Sequence, residues 1–520
     1  MLSTAGALGV ASLVFVLARW LLRRERGDRI LLADAGPVAI PLSALWPPKG
    51  RLGDYWSHFI PFDRAGTTVV PCIFPLTAQR CIHVADAEAM KTILNDRHGF
   101  VKNTKEYELL GFFGANILCT EGDEWVRHRS IARKSFGEKN NALVWSETVR
   151  VLDEWFMPWD HAGSSTTTNI TDDLRHITLF VIASAGFSLK LVRSKMARPS
   201  AGFRMPFGEA LFTAVHTVFL RIATPRFLYS LPIPSLQRCD TAYTELERYI
   251  RQMIVEAREG ETGVSDASEA ADLFRRLVDA NQAETGARLS DEELAANIYV
   301  YFVAGHETSS HTLTFALALL AIHPEVQEKL YDEVQRVWPD LNSEQWSSST
   351  LNDSTKLEYA LAVFRETLRL FPAAIRISRW ATGDMTIPCQ NRNAAGCWEP
   401  GRVAVRAGTS CILNLHSVHM SPLYWGDDAA AFRPERFLSE WPRDAWVPFT
   451  CGPHVCLGQR FATLESICVL ARIVRKYRLA PTPEIAVLPR EQQWARLTKW
   501  TVGITVTPGP VQLVLERRYK

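Results

Sequence analysis

Two stretches of this chain are apolar for longer than a single face of an ordinary helix requires. The first runs from Ala5 to Ala18 without a charge and continues through Trp20, Leu21 and Leu22 past Arg19. About eighteen residues of helix span about 27 Å, close to a hydrocarbon core of roughly 30 Å. Arg19, Arg23, Arg24 and Arg26 all follow the span, so the positive-inside rule places the bulk of the chain in the cytosol. A cleaved signal peptide is the rival reading, but its positive charge should precede the apolar run and a small-residue cleavage site should follow it. The second stretch begins where Ser290 and Glu293 form a capping-box pattern, and its apolar positions extend from Leu294 to Leu320 on most helical faces. This predicts a helix buried through a core. A second membrane span is excluded by Gly305-His-Glu-Thr-Ser-Ser-His-Thr312, small, polar and charged residues set in its middle. Burying such a patch is costly unless it serves a site.

Elsewhere the pattern changes period. Thr67 to Val84 contains two short β-rich stretches around Thr77-Ala-Gln-Arg80, which predicts a hairpin. From Ala85 onward most segments read as helices, with loops at Gly111–Gly114, Gly260–Ser265 and Trp338–Ser349. Short strands are expected again around Ala404–Leu415 and Thr501–Leu515. The expected organisation is a membrane anchor with its basic flank over residues 1–26 and a hinge or linker over 27–60 that contains Pro47-Pro-Lys-Gly50. One large domain, mainly α with small β-sheets, then fills 61–520.

Apolar content of 47% with 22% charged residues describes a globular chain with a sizeable core. A net charge of +2 removes bulk electrostatic attraction to nucleic acid as an explanation. Ten cysteines occur singly, without a C-x-x-C pair, which suits a reducing compartment and speaks against zinc or a disulfide scaffold.

One of those cysteines carries chemistry. Cys456 lies in Pro448-Phe-Thr-Cys-Gly-Pro-His-Val-Cys-Leu-Gly-Gln-Arg-Phe-Ala462. Gly452 and Pro453 predict a tight turn, Gly458 allows close backbone approach, and a helical pattern follows. A cysteine before a helix N-terminus is favoured as the thiolate. The competing reading is a buried cysteine after a turn.

With Phe449, Gly452, His454, Cys456 and Gly458 in place, this run resembles the signature F-x-x-G-x-[RHK]-x-C-x-G of the cytochrome P450 family. Further resemblances follow in family order: Trp125 and Arg129 in W-x-x-x-R, Ala304-Gly-His-Glu-Thr-Ser309 in the oxygen-activation motif, Glu366 and Arg369 in E-x-x-R, and Pro434-Glu-Arg-Phe437. The resemblance covers nearly the whole chain and implies the fold of that family, with haem b as cofactor and Cys456 as the iron ligand. It implies propionate or haem contacts from Trp125, Arg129, Arg379, His454, Phe449 and Gly458. His454 departs from the commoner arginine, so its charge depends on pH. Gly305, Glu307 and Thr308 are the implied catalytic residues. Gly305 leaves room for oxygen, Thr308 holds a water or peroxide, and Glu307 connects it to solvent protons. A Thr308 hydroxyl bonded back to its own helix is the alternative. His306 fills the motif's variable position and is read as incidental.

The implied activity is a microsomal-type monooxygenase in the endoplasmic reticulum membrane, with its catalytic domain in the cytosol. Electrons are expected from NADPH through a separate cytochrome P450 reductase, with cytochrome b5 as a second candidate donor. Arg127, Arg133 and Lys134 are candidates for docking it. No glycine-rich dinucleotide fingerprint is present. Phe203–Pro234, Leu109–Ile117 and Lys499–Thr505 are expected to line the substrate route, for a small apolar guest with a terpenoid favoured. Core packing is the plainer reading of the first of these. A haem-thiolate isomerase or dehydratase, or a haem or lipid carrier, would have less use for Glu307 and Thr308.

Overall fold

The structure is a computed structural model that describes residues 57–73, 79–161, 165–187, 199–259, 273–282, 288–340, 349–502 and 505–518. The expected anchor at 1–26, the Pro47–Gly50 hinge and the loop at Gly260–Ser265 lie outside the described residues. Among the described residues, no helix is long and apolar enough to cross a membrane. The chain forms two compact units: one from the segment up to Asn103 with Arg365–Cys456 and Gly503–Val506, the other from Thr104–Phe364, Leu457–Val502 and Thr507 onward.

The first unit is built on strands β1 (Val69–Ile73), β2 (Arg80–Val84), β3 (Phe100–Lys102), β4 (Ile377–Ala381), β5 (Met385–Arg392), β6 (Trp398–Val405) and β7 (Ser410–Leu413). Five of them form one sheet in the order β1-β2-β7-β4-β3, and β5 with β6 forms a separate hairpin. The expected hairpin is β1 and β2, antiparallel with Val69 opposite Val84 and Ile73 opposite Arg80. Pro71 is accommodated because β1 is an edge strand. The strands expected near 404–415 are the end of β6 and β7. Strands β4 and β5 escaped the pattern: β4 pairs with β3 and β7, which are distant in sequence, while β5 pairs locally with β6. Phe59, inside the stretch expected as linker, is already buried and stacks on Phe62 at 5.7 Å.

The second unit is mostly helical. Five helices matter here: α1 (Gly122–Ser135), α2 (Ile170–Phe187), α3 (Phe207–His216), α4 (Asp291–Ile322) and α5 (Gln459–Lys476). A three-stranded sheet of Ser165–Asn169, Gln512–Arg517 and Tyr477–Pro481 completes it, with Gln512–Arg517 in the middle. Helix α4 starts as its sequence predicts: Glu293 N–H donates to Ser290 Oγ at 3.1 Å and the Glu293 carboxylate accepts from Ser290 N–H at 2.8 Å. Asp291, Glu292 and Glu293 in its first turn also complement the helix dipole. Nearly all of α4 is buried, packed by α2 and α5. Phe302 stacks on Phe187 of α2 with ring centroids 3.8 Å apart. Burying a side chain of that size contributes about 1.5–3 kcal/mol, which explains why this helix tolerates polar residues in its centre.

Candidate functional site

In the first unit, the loop before Cys456 is shaped by two left-handed residues. Gly452 has φ +71°, and a Cβ there would meet the Leu94 carbonyl oxygen at 2.5 Å, so only glycine fits. Thr450 has φ +61°, rare for a β-branched residue. Its N–H donates to Val447 O at 3.0 Å and its Oγ1 to His454 O at 3.2 Å, which hold it there. Cys456 N–H donates to Phe449 O at 3.0 Å, closing the loop and leaving the cysteine exposed on its unit. Helix α5 starts at Gln459 with Gly458 as its N-cap. None of the ten cysteines, all among the described residues, is joined in a disulfide.

The strand register supplies a feature invisible in the sequence. Arg379 on β4 stands directly opposite Lys102 on β3. Both are buried, at 4% and 8% exposure. Like charges directly opposite one another in a sheet are destabilising. Two buried cations in register with an exposed thiol and His454 on the same unit form a donor set suited to an anionic macrocycle with a metal centre. The residues present therefore fit haem, with Cys456 to hold its iron and Arg379, Lys102 and His454 to hold its propionates. Lys102 was not anticipated; only the pairing of β3 with β4 reveals it.

The same unit brings together Glu366, Arg369 and Arg436, from the E-x-x-R and Pro434-Glu-Arg-Phe437 motifs. Arg369 donates to both Glu366 oxygens, at 2.6 and 2.8 Å, and both side chains are fully buried. Arg369 also donates to the carbonyls of His419, Ala429 and Ala431. Arg433 N–H donates to Glu366 at 2.9 Å, and Arg436 Nε lies 3.4 Å from it. A cleft of about 1010 Å³ in this unit, lined by Lys91, Trp441, Arg443 and Asp444 among others, includes none of the expected site residues.

In the second unit, Trp125 and Arg129 share one face of α1, with the guanidinium 5.5 Å from the indole centroid. Trp125 is buried. Arg127, one of the expected docking residues, is committed elsewhere: it grips both Glu293 oxygens, at 2.5 and 2.7 Å, and donates to Arg288 O. That guanidinium holds the Glu293 carboxyl down at about 2. Arg133 and Lys134 are exposed. Glu124, His128 and Glu293 are the one group of metal-ligating type among the described residues, but Arg127 already occupies the Glu293 oxygens.

The polar patch of α4 satisfies most of its hydroxyls internally. Thr308 Oγ1 donates to Ala304 O at 2.7 Å, Thr312 to Thr308 O at 2.9 Å, and Ser310 to Glu307 O at 3.0 Å. The back-bonded alternative for Thr308 is thus the observed one. Its single hydroxyl proton is spent on the helix, and what remains for a ligand is a pair of acceptor lone pairs. The Cβ that Gly305 lacks would lie 3.1 Å from Ile182 Cδ1, so its absence permits close packing of α4 on α2. Glu307 makes the strongest chemical statement: burial pushes its carboxyl from 4.5 up to about 7, against an opposing pull from Arg175 on α2.

A second buried carboxyl was not foreseen. Glu465 on α5 is fully buried, and burial raises it to about 8, opposed by the Ser309 hydroxyl. Neither carboxyl oxygen has a well-formed hydrogen bond. Its position in an amphipathic-looking helix carried no signal, because only the packing of α5 on α4 takes it out of water. The expected substrate route is partly core: Phe112 and Phe113 pack edge-on against Tyr243 and Tyr299. A smaller cleft of about 250 Å³ in this unit is lined by Gly111, Phe112, Arg221, Ile222, Arg226 and Tyr229, among others.

An exposed cysteine on a glycine-shaped loop and two buried cations in one unit, and a helix carrying a carboxyl poised near neutrality in the other, are the residue types of a haem-thiolate oxidoreductase. The chain belongs to the cytochrome P450 family, whose model matches residues 72–513. It is 40% identical over 452 residues to cytochrome P450 monooxygenase 124 of Postia placenta, covering 86% of this chain and 84% of that one. It is 26% identical to the cytochrome P450 monooxygenase prx9 of Penicillium rubens, over 84% and 80% of the two chains. A bifunctional cytochrome P450/NADPH–P450 reductase of Aspergillus oryzae is 28% identical over 71% of this chain and 31% of its own length. The protein is a cytochrome P450 monooxygenase with haem b as its cofactor.

Proposed function

We propose that this protein inserts one oxygen atom of dioxygen into a small apolar molecule that partitions into membranes, with hydroxylation of a terpenoid-like compound as the favoured case. Two electrons from NADPH and two protons reduce the other oxygen atom to water. When bound, haem supplies dioxygen binding and oxidising power. The chain's part is to hold that group and to meter protons. Cys456 would ligate the iron, Arg129, Arg379, His454 and Lys102 would neutralise the propionates, and Trp125 would donate its indole N–H to them; Phe449 and Gly458 would shape the loop around the group. Glu307 both takes and gives a proton readily near neutral pH, because its carboxyl sits at about 7. Thr308, its proton already bonded to Ala304 O, acts as an acceptor that holds a water or a protonated oxygen in place. Gly305 lets α4 lie close to α2, which fixes where Glu307 stands.

The observation that carries this reading is the buried carboxyl of Glu307. A carrier has no need for a proton donor tuned in this way, and the pairing of Glu307 with Thr308 in the oxygen-activation motif favours oxygen insertion over isomerisation or dehydration. Thr308→Ala tests it: NADPH and oxygen consumption should continue while product per NADPH falls and peroxide rises. Unchanged product per NADPH refutes the role given to Thr308. Turnover of a lipid and terpenoid panel with NADPH and reductase tests the substrate class.

Membrane attachment at the endoplasmic reticulum rests on residues 1–26. Phe227, 73% exposed, with Leu231 and Ile233 also exposed, adds an apolar surface suited to lipid. Deleting 1–26 should move much of the protein from the membrane pellet to the supernatant with its haem spectrum intact; full retention in the pellet refutes the anchor. Electrons are supplied by an NADPH-dependent reductase, with or without cytochrome b5. Its docking contacts narrow to Arg133 and Lys134, since Arg127 is engaged within the fold.

A further inference from the structure

His306, the variable residue of the α4 motif, is not incidental to its surroundings. It is 1% exposed, and neither ring nitrogen has a well-formed hydrogen bond, although the Arg175 backbone lies near. Burying an imidazole without partners is costly, and such a group in a native fold calls for an explanation. A ladder of rings leads to it from the surface of the same unit. His176 of α2 stacks on Phe212 of α3 at 5.2 Å, Phe212 on His216 at 4.0 Å, and His216 meets His306 edge to face at 6.0 Å. His216 is exposed, and its Nδ1 bonds Phe212 O at 2.8 Å, which leaves Nε2 as the nitrogen outside that bond. The next residue after His306 is Glu307.

We propose that His216 and His306 form the proton entry route to Glu307, with solvent protons taken up at His216 Nε2 and passed through the His306 ring. A neutral imidazole can accept a proton on one nitrogen while releasing one from the other, so charge moves inward with no change in electron count. At His306 neither nitrogen is tied up in a well-formed hydrogen bond, whereas His216 keeps Nδ1 on Phe212 O and exchanges through Nε2.

The charged and titratable groups around the route favour transit over storage. From α2 come Arg175, Asp172 and His176; α3 contributes His216, and α4 itself contributes Glu307 and His311. Burial, with the repulsion of neighbouring His216 and Arg175, lowers the pKa of His306 and His311 and keeps both neutral. A proton therefore does not rest on His306; the buried carboxyl next to it is the group that retains one.

The inference rests on the role given to Glu307, and the experiment separates the two. In the full-length holoenzyme, the Glu307 carboxyl stretch is identified by infrared difference spectroscopy as the band lost in Glu307→Gln. Its hydrogen–deuterium exchange is then followed after mixing into D2O. His306→Phe and His216→Gln should each slow that exchange by about a hundredfold or more, the scale on which positioned acid–base groups act. The double variant should be no slower than the slower single. The same variants should raise peroxide released per NADPH and enlarge the solvent deuterium isotope effect, with a normal ferrous–carbon monoxide spectrum. If His306→Phe fails to bind haem, His306→Asn and the surface variant His216→Gln carry the test. Exchange at the wild-type rate in those variants overturns the route. The role of Glu307 is read separately, from product per NADPH in Glu307→Gln.

Discussion

Replacing Glu307 with glutamine removes one titrating group and almost no volume, so its consequences can be worked out from the structure. Burial raises the carboxyl from 4.5 in an open chain to about 7 in the fold. At about 1.4 kcal/mol per pKa unit, that difference corresponds to about 3 kcal/mol between the two protonation states. The sign follows from proton counting. Between pH 4.5 and about 7 the folded protein keeps a proton that the unfolded chain has lost, so stability falls as pH rises through that window and then levels off. Glutamine has no such slope. The stability of Glu307→Gln relative to wild type should therefore rise by about 3 kcal/mol between acid and mildly alkaline pH. Glu465, raised by burial to about 8, adds a slope of the same sign to both proteins and cancels in the difference. Urea unfolding of the two proteins near each end of the window measures it. The variant should be the more stable protein at alkaline pH and still the poorer enzyme, losing product per NADPH. A stability difference that does not change with pH would show that Glu307 is not a buried proton holder, and the proposed proton delivery would lose its basis.

Cys456→Ser should abolish turnover and the red-shifted Soret band of the ferrous–carbon monoxide complex, whereas Cys451→Ser, whose thiol burial pushes up and away from thiolate, should leave both intact. A retained band in Cys456→Ser would refute the ligand assignment. Arg369→Ala leaves the buried Glu366 carboxylate without its bidentate partner, a change that costs about 3–5 kcal/mol. The variant should accumulate without haem and melt early; a wild-type melting temperature would mean that the network is not structural.

Much of this protein was legible before folding, and for identifiable reasons. Haem-thiolate chemistry is read from Phe449 to Gly458 because a tight turn and a helix start depend on neighbours along the chain. Gly452 is readable as a turn glycine, and the structure adds why no other residue fits: the Leu94 carbonyl lies where a Cβ would go. Helix α4 announces itself through the Ser290–Glu293 box and an apolar run too long to be anything else. Local interactions suffice for all of these.

What the chain order could not show is what long-range pairing and burial decide. Lys102 meets Arg379 only because β3 pairs with β4 across more than half the sequence. Arg127 looks like a free surface charge until Glu293 of another helix claims it. Thr308 could bond a ligand or its own helix, and the rotamer adopted in the packed helix chose Ala304. Glu307, Glu465 and His306 are ordinary polar letters in the sequence. Their chemistry comes from the loss of water around them, and desolvation is set by the packing of α2, α3 and α5 on α4, a property of the tertiary structure alone.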